Sequence, residues 1–399
     1  MFEMVKNIPV LYLFILLITV SCNVDDSSFY LMETRDTISV NPDNITTKKV
    51  QYSNLFSKID YIVPPTDKNF LIGRVDKLVI TDSCLFILDE KISHGVYGID
   101  RLGNRILVIQ RLGSAPGEYS VLSDLVYDSE SRSLVLYCRG RGYLLYYDLN
   151  GKFLHEEKIP YDVRCIHPIG KQIACYAEYH DNKKLRKEGF SPNVILYNPE
   201  QGASVVERIA YFRPPISQYV IWHADCQFSN WEDTLSIKPD HHNIVYHIIA
   251  NKILPAHFLD FKEYNIDKRY WDEVKGNRKD FEYMDGFVNR EGLCETVWYL
   301  EGDNYIYFAY RRKKKMYDVI YSKKTKKMHH IMNYDNDMDH VTNFRPIAIH
   351  NDKFYCLVDS DILWKIKQQG EKGYIPDSVM SKVQEYGNPM IAIFTLKPF

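Results

Sequence analysis

The feature that most constrains this chain is that it repeats itself. The segment from Val75 to Ile106 (VDKLVITDSCLFILDEKISHGVYGIDRLGNRI) aligns with that from Asp124 to Leu154 (DLVYDSESRSLVLYCRGRGYLLYYDLNGKFL) at an offset of about 48 residues. Setting Asp100 on Asp148 also sets Gly103 on Gly151, Leu78 on Val126, and Phe86-Ile87-Leu88 on Leu134-Val135-Leu136. A unit of this length cannot bury its own apolar face, so such units must stack or close into a ring. Each holds a strand, a polar turn, a second strand, then a strand that ends in Asp-x-x-Gly and leads to a fourth. Asp-Arg-Leu-Gly and Asp-Leu-Asn-Gly read as hairpin turns in which the glycine takes positive φ.

Later units diverge but keep the pattern. Ile173 to Ala177 with Val194 to Tyr197 gives a third, Leu235 to Ile237 with Ile244 to Ile249 a fourth, and Tyr305 to Tyr310 with Met316 to Tyr321 a fifth. Phe354 to Val358 with Ile362 to Ile366 gives a sixth. Helical signal is confined to Asp267 to Lys275 and Pro376 to Glu385. The expected fold is therefore all-β, a six-bladed β-propeller of four-stranded antiparallel blades, with seven blades as the alternative. A ring of blades must hide its edges, and the last apolar strand, Met390 to Leu396, is placed to complete a blade begun near Leu55 to Val63.

Ahead of the repeats, Lys6 precedes the 13-residue apolar run Ile8 to Val20, followed by Ser21-Cys22. That run is too short for a permanent span, which needs about 17–25 residues, and has the length of a secretory signal core. A cysteine behind small residues at the end of such a run resembles the bacterial lipobox, with Thr19 where leucine is usual. The expected organisation is a lipoprotein signal peptide over 1–21, a polar tether over 22–49 anchored through a lipidated Cys22, and a propeller domain over 50–399. Cys22 is thus the expected lipidation site, and the membrane holding its acyl chains the first expected partner. Asp25-Asp26 loosely resembles the acidic export signal of surface lipoproteins of Bacteroidetes, leaving surface and periplasmic faces of the outer membrane both open.

Gly113-Ser114-Ala115-Pro116-Gly117-Glu118-Tyr119, after the strand Ile106 to Gln110, resembles a GxGPGEY signature. With the DRLGNRI and DLNGKF turns, His257-Phe258-Leu259-Asp260-Phe261, the loop Asp337-Met338-Asp339 and the ending Asn388-Pro389-Met390, it is similar to a family of six-bladed β-propeller lipoproteins of Bacteroides-type bacteria, distantly like NHL-repeat propellers. The resemblance covers most of the mature chain, departs at Ala115 where glycine is usual, and implies six blades and export but no catalytic residues. On its own chemistry the motif reads as structural: a Pro-Gly turn, a glutamate accepting from backbone donors, and a tyrosine packed into the next blade.

Composition excludes a few roles. A formal charge of −2 over 399 residues gives no global field for nucleic acid. The basic runs Arg311 to Lys315 and Lys323 to Lys327 flank one strand and fall about 20 Å apart, so they read as two solvated turns at opposite ends of a blade. Asp335-Asn336-Asp337-Met338-Asp339 starts like a calcium loop, but His340 stands where glycine is required and Pro346 where a bidentate glutamate is required; a solvated loop is expected. His241-His242 and His329-His330 are adjacent pairs, which on strands point to opposite faces. No metal site and no cofactor are expected. Cys165 and Cys175 flank Gly170 symmetrically in a hairpin, which would oppose their sulfurs and allow a disulfide in an oxidising compartment.

No nucleophile elbow, HExxH or phosphate loop is present, so catalytic residues are not assignable and an enzyme is the less favoured class. The leading expectation is a binding or interaction module for glycans or peptides in nutrient acquisition, monomeric as a domain, with Trp222, Trp231 and Trp298 as candidate stacking residues. The alternatives are a lyase or hydrolase acting at the central pore and a structural assembly partner. Cys22→Ser is expected to move the protein from the membrane fraction to the soluble one and to abolish incorporation of labelled palmitate; continued membrane attachment would contradict the anchor.

Overall fold

The computed structural model describes residues 36–45, 49–201, 204–212, 228–267, 270, 273, 281–369 and 375–399, with the side chains of 281–284 excepted. The expected signal peptide and the expected lipidation site Cys22 lie outside these residues. Among the described residues no helix is long and apolar enough to cross a membrane.

Six four-stranded antiparallel units form a β-propeller. Blade I is Lys77–Ile80, Cys84–Asp89, Gly95–Asp100 and Arg105–Ile109; blade II is Leu122–Asp128, Ser133–Cys138, Tyr143–Tyr147 and Phe153–Lys158. Blade III is Cys165–Ile169, Gln172–Tyr176, Ser191–Asn198 and Ser204–Phe212; blade IV is Ser229–Trp231, Thr234–Ile237, Ile244–Ile249 and Lys252–Asp260. Blade V is Glu295–Glu301, Tyr305–Arg312, Lys315–Ser322 and Met328–Ile331. Blade VI is Pro346–His350, Lys353–Val358, Met390–Leu396 and, from the other end of the chain, Phe56–Ile62.

The middle strands are apolar on both faces because each face packs against a different neighbour. In blade I, Leu85 and Ile87 join Tyr355 and Ile391 of blade VI, while the alternate residues Phe86 and Leu88 join Leu134 and Leu136 of blade II. The same period-two partition continues round the ring: Val135 and Tyr137 meet Ile173 and Cys175, and Ala174 and Tyr176 meet Leu235 and Tyr246. Val245 and Leu259 then meet Phe308 and Val319, and Tyr307 and Ala309 meet Phe354 and Phe394. The core is thus six inter-blade layers. The ring is closed by Phe56–Ile62, whose register runs from Phe56 against Leu396 to Ile62 against Ile391, and Phe56 packs on both Phe394 and Phe344 at 4.8 Å between ring centroids.

The repeated hairpins have the expected chemistry. Asp100 Oδ1 accepts from the amides of Leu102 and Asn104, Asp148 Oδ1 from those of Asn150 and Lys152, and Gly103 and Gly151 take φ of +87° and +82°. The GSAPGEY segment joins blades I and II as a scaffold: Glu118 accepts from the Ala115 amide, and the buried Tyr119 donates to the His94 carbonyl. A Cβ at Gly113 would come within 2.0 Å of the Glu118 carboxylate, whereas Ala115 is exposed and outside the left-handed region, so glycine is not needed there.

Several expectations are corrected. Ile362 to Ile366 is not a strand but part of the helix Ser360–Gln369; Leu363 and Ile366 recur at helical spacing, Asp361 suits the positive end of the helix dipole, and Met390–Leu396 supplies the third strand instead. Of Pro376 to Glu385 only Asp377–Met380 is α-helical, Asp267 to Lys275 lies largely outside the described residues, and Phe281–Glu291 is a helix not marked by the sequence. The stretch 22–49 is not a tether throughout: Asp36–Ser39 pairs in parallel with His257 to Asp260 as a fifth strand on blade IV, with Ile38 buried.

The expected disulfide is also corrected. The hairpin register sets Cys165 against Tyr176 and Cys175 against Ile166, one residue from the pairing a disulfide needs. The side chains therefore point to opposite faces, Cys165 toward blade IV and Cys175 toward blade II, and the two buried sulfurs are not bonded to each other. Phe56→Ala is expected to lower unfolding free energy by about 3–5 kcal/mol in urea denaturation, because it opens the closure layer.

Candidate functional site

The first strand of each blade is innermost, and its end leads into the turn to the second strand. These ends enclose a central cavity of about 700 Å³. Every blade contributes to its wall: Ile80, Val126, His167, Trp231, Leu300 and Ile349. The rim is polar, formed by the first-to-second-strand turns with Asp82, Arg132, Glu232, Asp303 and Asn351. A second cavity of about 450 Å³ between blades VI and I shares Asp82, His350 and Asn351 with it and adds Arg101, Lys353 and Tyr355. The two together make a cleft that runs from the axis to the edge of one face.

Toward the opposite face the innermost strands are bound by charge. Lys77 of blade I is 2.5 Å from Asp124 of blade II, whose other oxygen accepts from the Ile166 amide of blade III. Arg164 of blade III reaches Glu90 of blade I at 3.2 Å and donates to the Ser123 carbonyl of blade II. His167, on the wall, is pushed down to about 4 by burial, with Lys77 adding to the effect, so near neutral pH it is an uncharged ring.

Behind Trp231, between blades IV and V, lies a cluster that the sequence does not announce. Glu301 is fully buried; its Oε2 accepts from His247 Nε2 at 3.0 Å and Tyr299 Oη at 2.8 Å, and its Oε1 faces His257 Nε2 at 3.3 Å and Lys323 Nζ at 2.8 Å. Lys323 also sits 3.3 Å from the centre of the Trp231 ring. Burial would raise the Glu301 carboxyl, but the two histidines and Lys323 outweigh it and hold the group well below the usual carboxylate range. His247, His257 and Glu301 bring ligand-type atoms within 4.8 Å of one another, the donor set of a two-histidine, one-carboxylate cation site. Yet the carboxylate already accepts from three donors, His247, His257 and Tyr299, and pairs with the Lys323 ammonium. The arrangement is that of a hydrogen-bonded anion hub whose charge is balanced by Lys323.

A second polar cluster lies on the other face. His241 Nδ1 is 2.9 Å from Glu295 Oε1 and Arg311 Nη2 is 2.6 Å from Oε2; these contacts overcome burial and hold Glu295 at about 2. Nearby, burial raises Asp240 to about 6 although Tyr176 donates to it and Lys238 lies close. Lys238 itself is lowered by burial and donates to the carbonyls of Pro239 and Thr296.

Of the three tryptophans expected to stack on a ligand, Trp231 reaches the cavity wall. Trp298 packs half-buried in the layer between blades V and VI, and Trp222 lies outside the described residues. His241 and His242 sit in the turn between the second and third strands of blade IV, buried against Tyr270 and Tyr179, whereas His329 and His330 lie on a strand as expected. The loop at Asp335 to Asp339 is not solvated as expected. Asp339 is 2% exposed and accepts from the Val341 and Thr342 amides and from Tyr61 Oη, and Asp337 accepts from Ser53. The two basic runs do fall at opposite ends of blade V, but Arg312 is paired with Asp43 and Lys326 with Asp36, each at 2.7 Å.

Over residues 35–395 the sequence matches the family described as Domain of unknown function, DUF4934. The chain belongs to this family. The DUF4934 match begins beside the strand that augments blade IV and ends within Met390–Leu396, so it spans the whole ring. A comparison with curated proteins gives no match. Among solved structures, a Bacteroides fragilis protein described as exported superposes with a TM-score of 0.73 at 17% identity, covering 91% of this chain and 100% of that one, which shows the fold. A DUF4221 member from Bacteroides vulgatus gives 0.47 at 9% identity over 85% and 98% of the two chains. The virginiamycin B lyase of Staphylococcus aureus gives 0.39 at 10% over 75% and 81%.

Because the Glu301 carboxyl is depressed in the fold, its contribution is present above the ordinary glutamate value near 4.3 and is lost as pH falls through the lower folded value. Glu301→Ala is expected to cost about 3–5 kcal/mol at pH 7, since it strands Lys323 beside apolar surface. The stability difference between this variant and the unaltered protein should narrow below about pH 4, as read by urea denaturation across pH.

Proposed function

We propose that this DUF4934 propeller is an exported lipoprotein, held at the cell envelope by acyl chains on Cys22, that binds an extended glycan in the central cleft. The observation that carries the reading is the cleft itself. A floor of Ile80, Val126, Trp231, Leu300 and Ile349 with the neutral His167, ringed by carboxylates, an arginine and an asparagine, is the composition of a small-ligand site, apolar walls with a few placed polar groups. Its continuation to the disk edge past Arg101, Lys353 and Tyr355 suits a chain-like ligand better than a compact one. The similarity to GxGPGEY lipoproteins, and the fold shared with a Bacteroides fragilis protein described as exported, support the compartment.

A second reading, a lyase or hydrolase, has one observation in its favour. Where the two cavities meet, His350 Nε2 lies 3.4 Å from Asp82 Oδ1, and Arg101 donates to Tyr355 Oη at 2.7 Å. Burial lowers the His350 imidazole, with Arg101 adding to it, which leaves the ring neutral as a general base requires.

The soluble domain, residues 36–399, is expected to bind one glycan class on an array and by calorimetry. Ile80→Trp, which puts an indole into the cavity, should reduce affinity at least tenfold while leaving the melting temperature within a few degrees. Absence of binding across host, dietary and bacterial polysaccharides would count against the reading, and a peptide ligand would redirect it. Product formation that disappears in His350→Ala would establish the enzyme instead.

A further inference from the structure

Blade I carries the GSAPGEY segment on the face away from the cleft. The first-to-second turns ring the cleft, so in these antiparallel blades the second-to-third turns and the blade-to-blade connections lie on the opposite face. Three such segments meet over blade I: the entry 63–76, the second-to-third turn 90–94 and the exit 110–121. Four of the ten large apolar side chains that stand exposed among the described residues belong to them. These are Leu71, Ile92, Leu112 and Val121, at 49, 61, 58 and 49% exposure.

Hydrogen bonds fasten the three segments into one surface. The Asp89 carboxylate accepts from Gly73 and Arg74 of the entry and from Ile92 and Ser93 of the turn. Gln110, at the start of the exit, donates to the Ser93 carbonyl, and Tyr119 donates to that of His94. Ile92 packs so closely on Gly73 that a Cβ there would come within 2.3 Å of it. From blade II, Arg141 donates to the Glu118 carbonyl. The four apolar side chains are thus held outward on a fixed backbone.

The charge around them is one-sided. Lys68, Arg74, Lys91 and Arg111 are exposed on the same segments, against Asp67 as their one exposed acid. The other carboxylates are engaged within the fold: Asp76 pairs with Arg74 and accepts from the Glu90 and Lys91 amides, Glu90 pairs with Arg164, and Glu118 accepts from the Ala115 amide. The core of a protein–protein interface is rich in aromatics and poor in lysine. Here aliphatic tips alternate with Lys and Arg, the composition that enters the headgroup layer of a bilayer, and an anionic leaflet attracts each such cation.

We propose that this face of blade I docks on an anionic lipid surface, with Leu71, Ile92, Leu112 and Val121 entering the headgroup layer and Lys68, Lys91 and Arg111 pairing with its phosphates. The contact is independent of acylation at Cys22, and it leaves the cleft open to solvent on the other side of the disk.

The chain from residue 22 onward carrying Cys22→Ser, which has no thiol to acylate at that position, would be sedimented with vesicles of phosphatidylcholine, with and without phosphatidylglycerol. Binding is expected to the mixed vesicles, at least tenfold weaker without phosphatidylglycerol, and weakened by salt. Ile92→Ser with Leu112→Ser is expected to lower affinity at least tenfold, as is Lys68→Glu with Lys91→Glu. Melting temperatures should stay within a few degrees, because all four side chains are exposed. Leu102→Ser, at an exposed residue on the cleft face, is expected to change nothing. No binding to the mixed vesicles, binding that survives both double variants, or an equal loss in Leu102→Ser would overturn the proposal. Equal affinity for soluble polyglutamate would overturn the lipid assignment in favour of an acidic polypeptide.

Discussion

The structure depends on one pairing, that of Phe56–Ile62 with Met390–Leu396. A propeller blade is stable only with a neighbour on each face, because its middle strands carry apolar residues on both. Without the closing strand, blade VI would present an unpaired edge, and the layer containing Phe56, Phe344, Phe354 and Phe394 would open to water. The ring therefore has no independently stable part smaller than itself. The aromatic clustering around Tyr52 and Phe56 is concentrated where the two ends of the chain meet, which is where an apolar layer has the most to hold.

Between the apolar layers the blades are joined by buried carboxylates that face several donors at once. Asp89 accepts from the amides of Gly73, Arg74, Ile92 and Ser93, tying the entry of blade I to its second-to-third turn. Asp124 links three innermost strands, Asp339 fastens the loop before blade VI to Tyr61 of the closure strand, and Glu301 collects groups from blades IV and V. Each would be costly alone in an apolar setting; matched in this way, each fixes the relative placement of segments far apart in sequence. The carboxylates inside the ring act as rivets, whereas Asp82, Glu232 and Asp303 stand on the rim of the cavity.

Much of the fold was legible because its signals are local. Asp-x-x-Gly turns, period-two apolar runs and the Pro-Gly turn at 116–117 each specify their own geometry, and their repetition specifies the ring. What escaped depends on register or on distance. The cysteine hairpin differs by one residue from the symmetric pairing, and one residue inverts every side chain. Ile362 to Ile366 is apolar in a way that suits strand or helix, and only the competing strand at 390–396 decides it. Trp231 could be picked out as an aromatic, but its relation to His247, His257, Glu301 and Lys323 arises from two blades brought face to face. Asp339 looked like a calcium ligand or a solvated residue because its partner Tyr61 lies 278 positions away.

Joining the first blade strand to the last has a consequence for when the protein can exist as a fold. Ser57 and Thr395, which hydrogen-bond across the closure, are 338 residues apart, and bringing the ends of so long a chain together carries an entropy cost of about 5 kcal/mol beyond a constant. A topology with such a contact folds slowly, and it cannot be completed while the C-terminal strand is still being synthesised or threaded. The hairpins of blades I to V can pair locally as they emerge, but no stable ring exists while the N-terminal strand waits, unpaired, for residues 390–396. The final strand therefore serves as a timer: the ring can close only once residues 390–396 have left the ribosome.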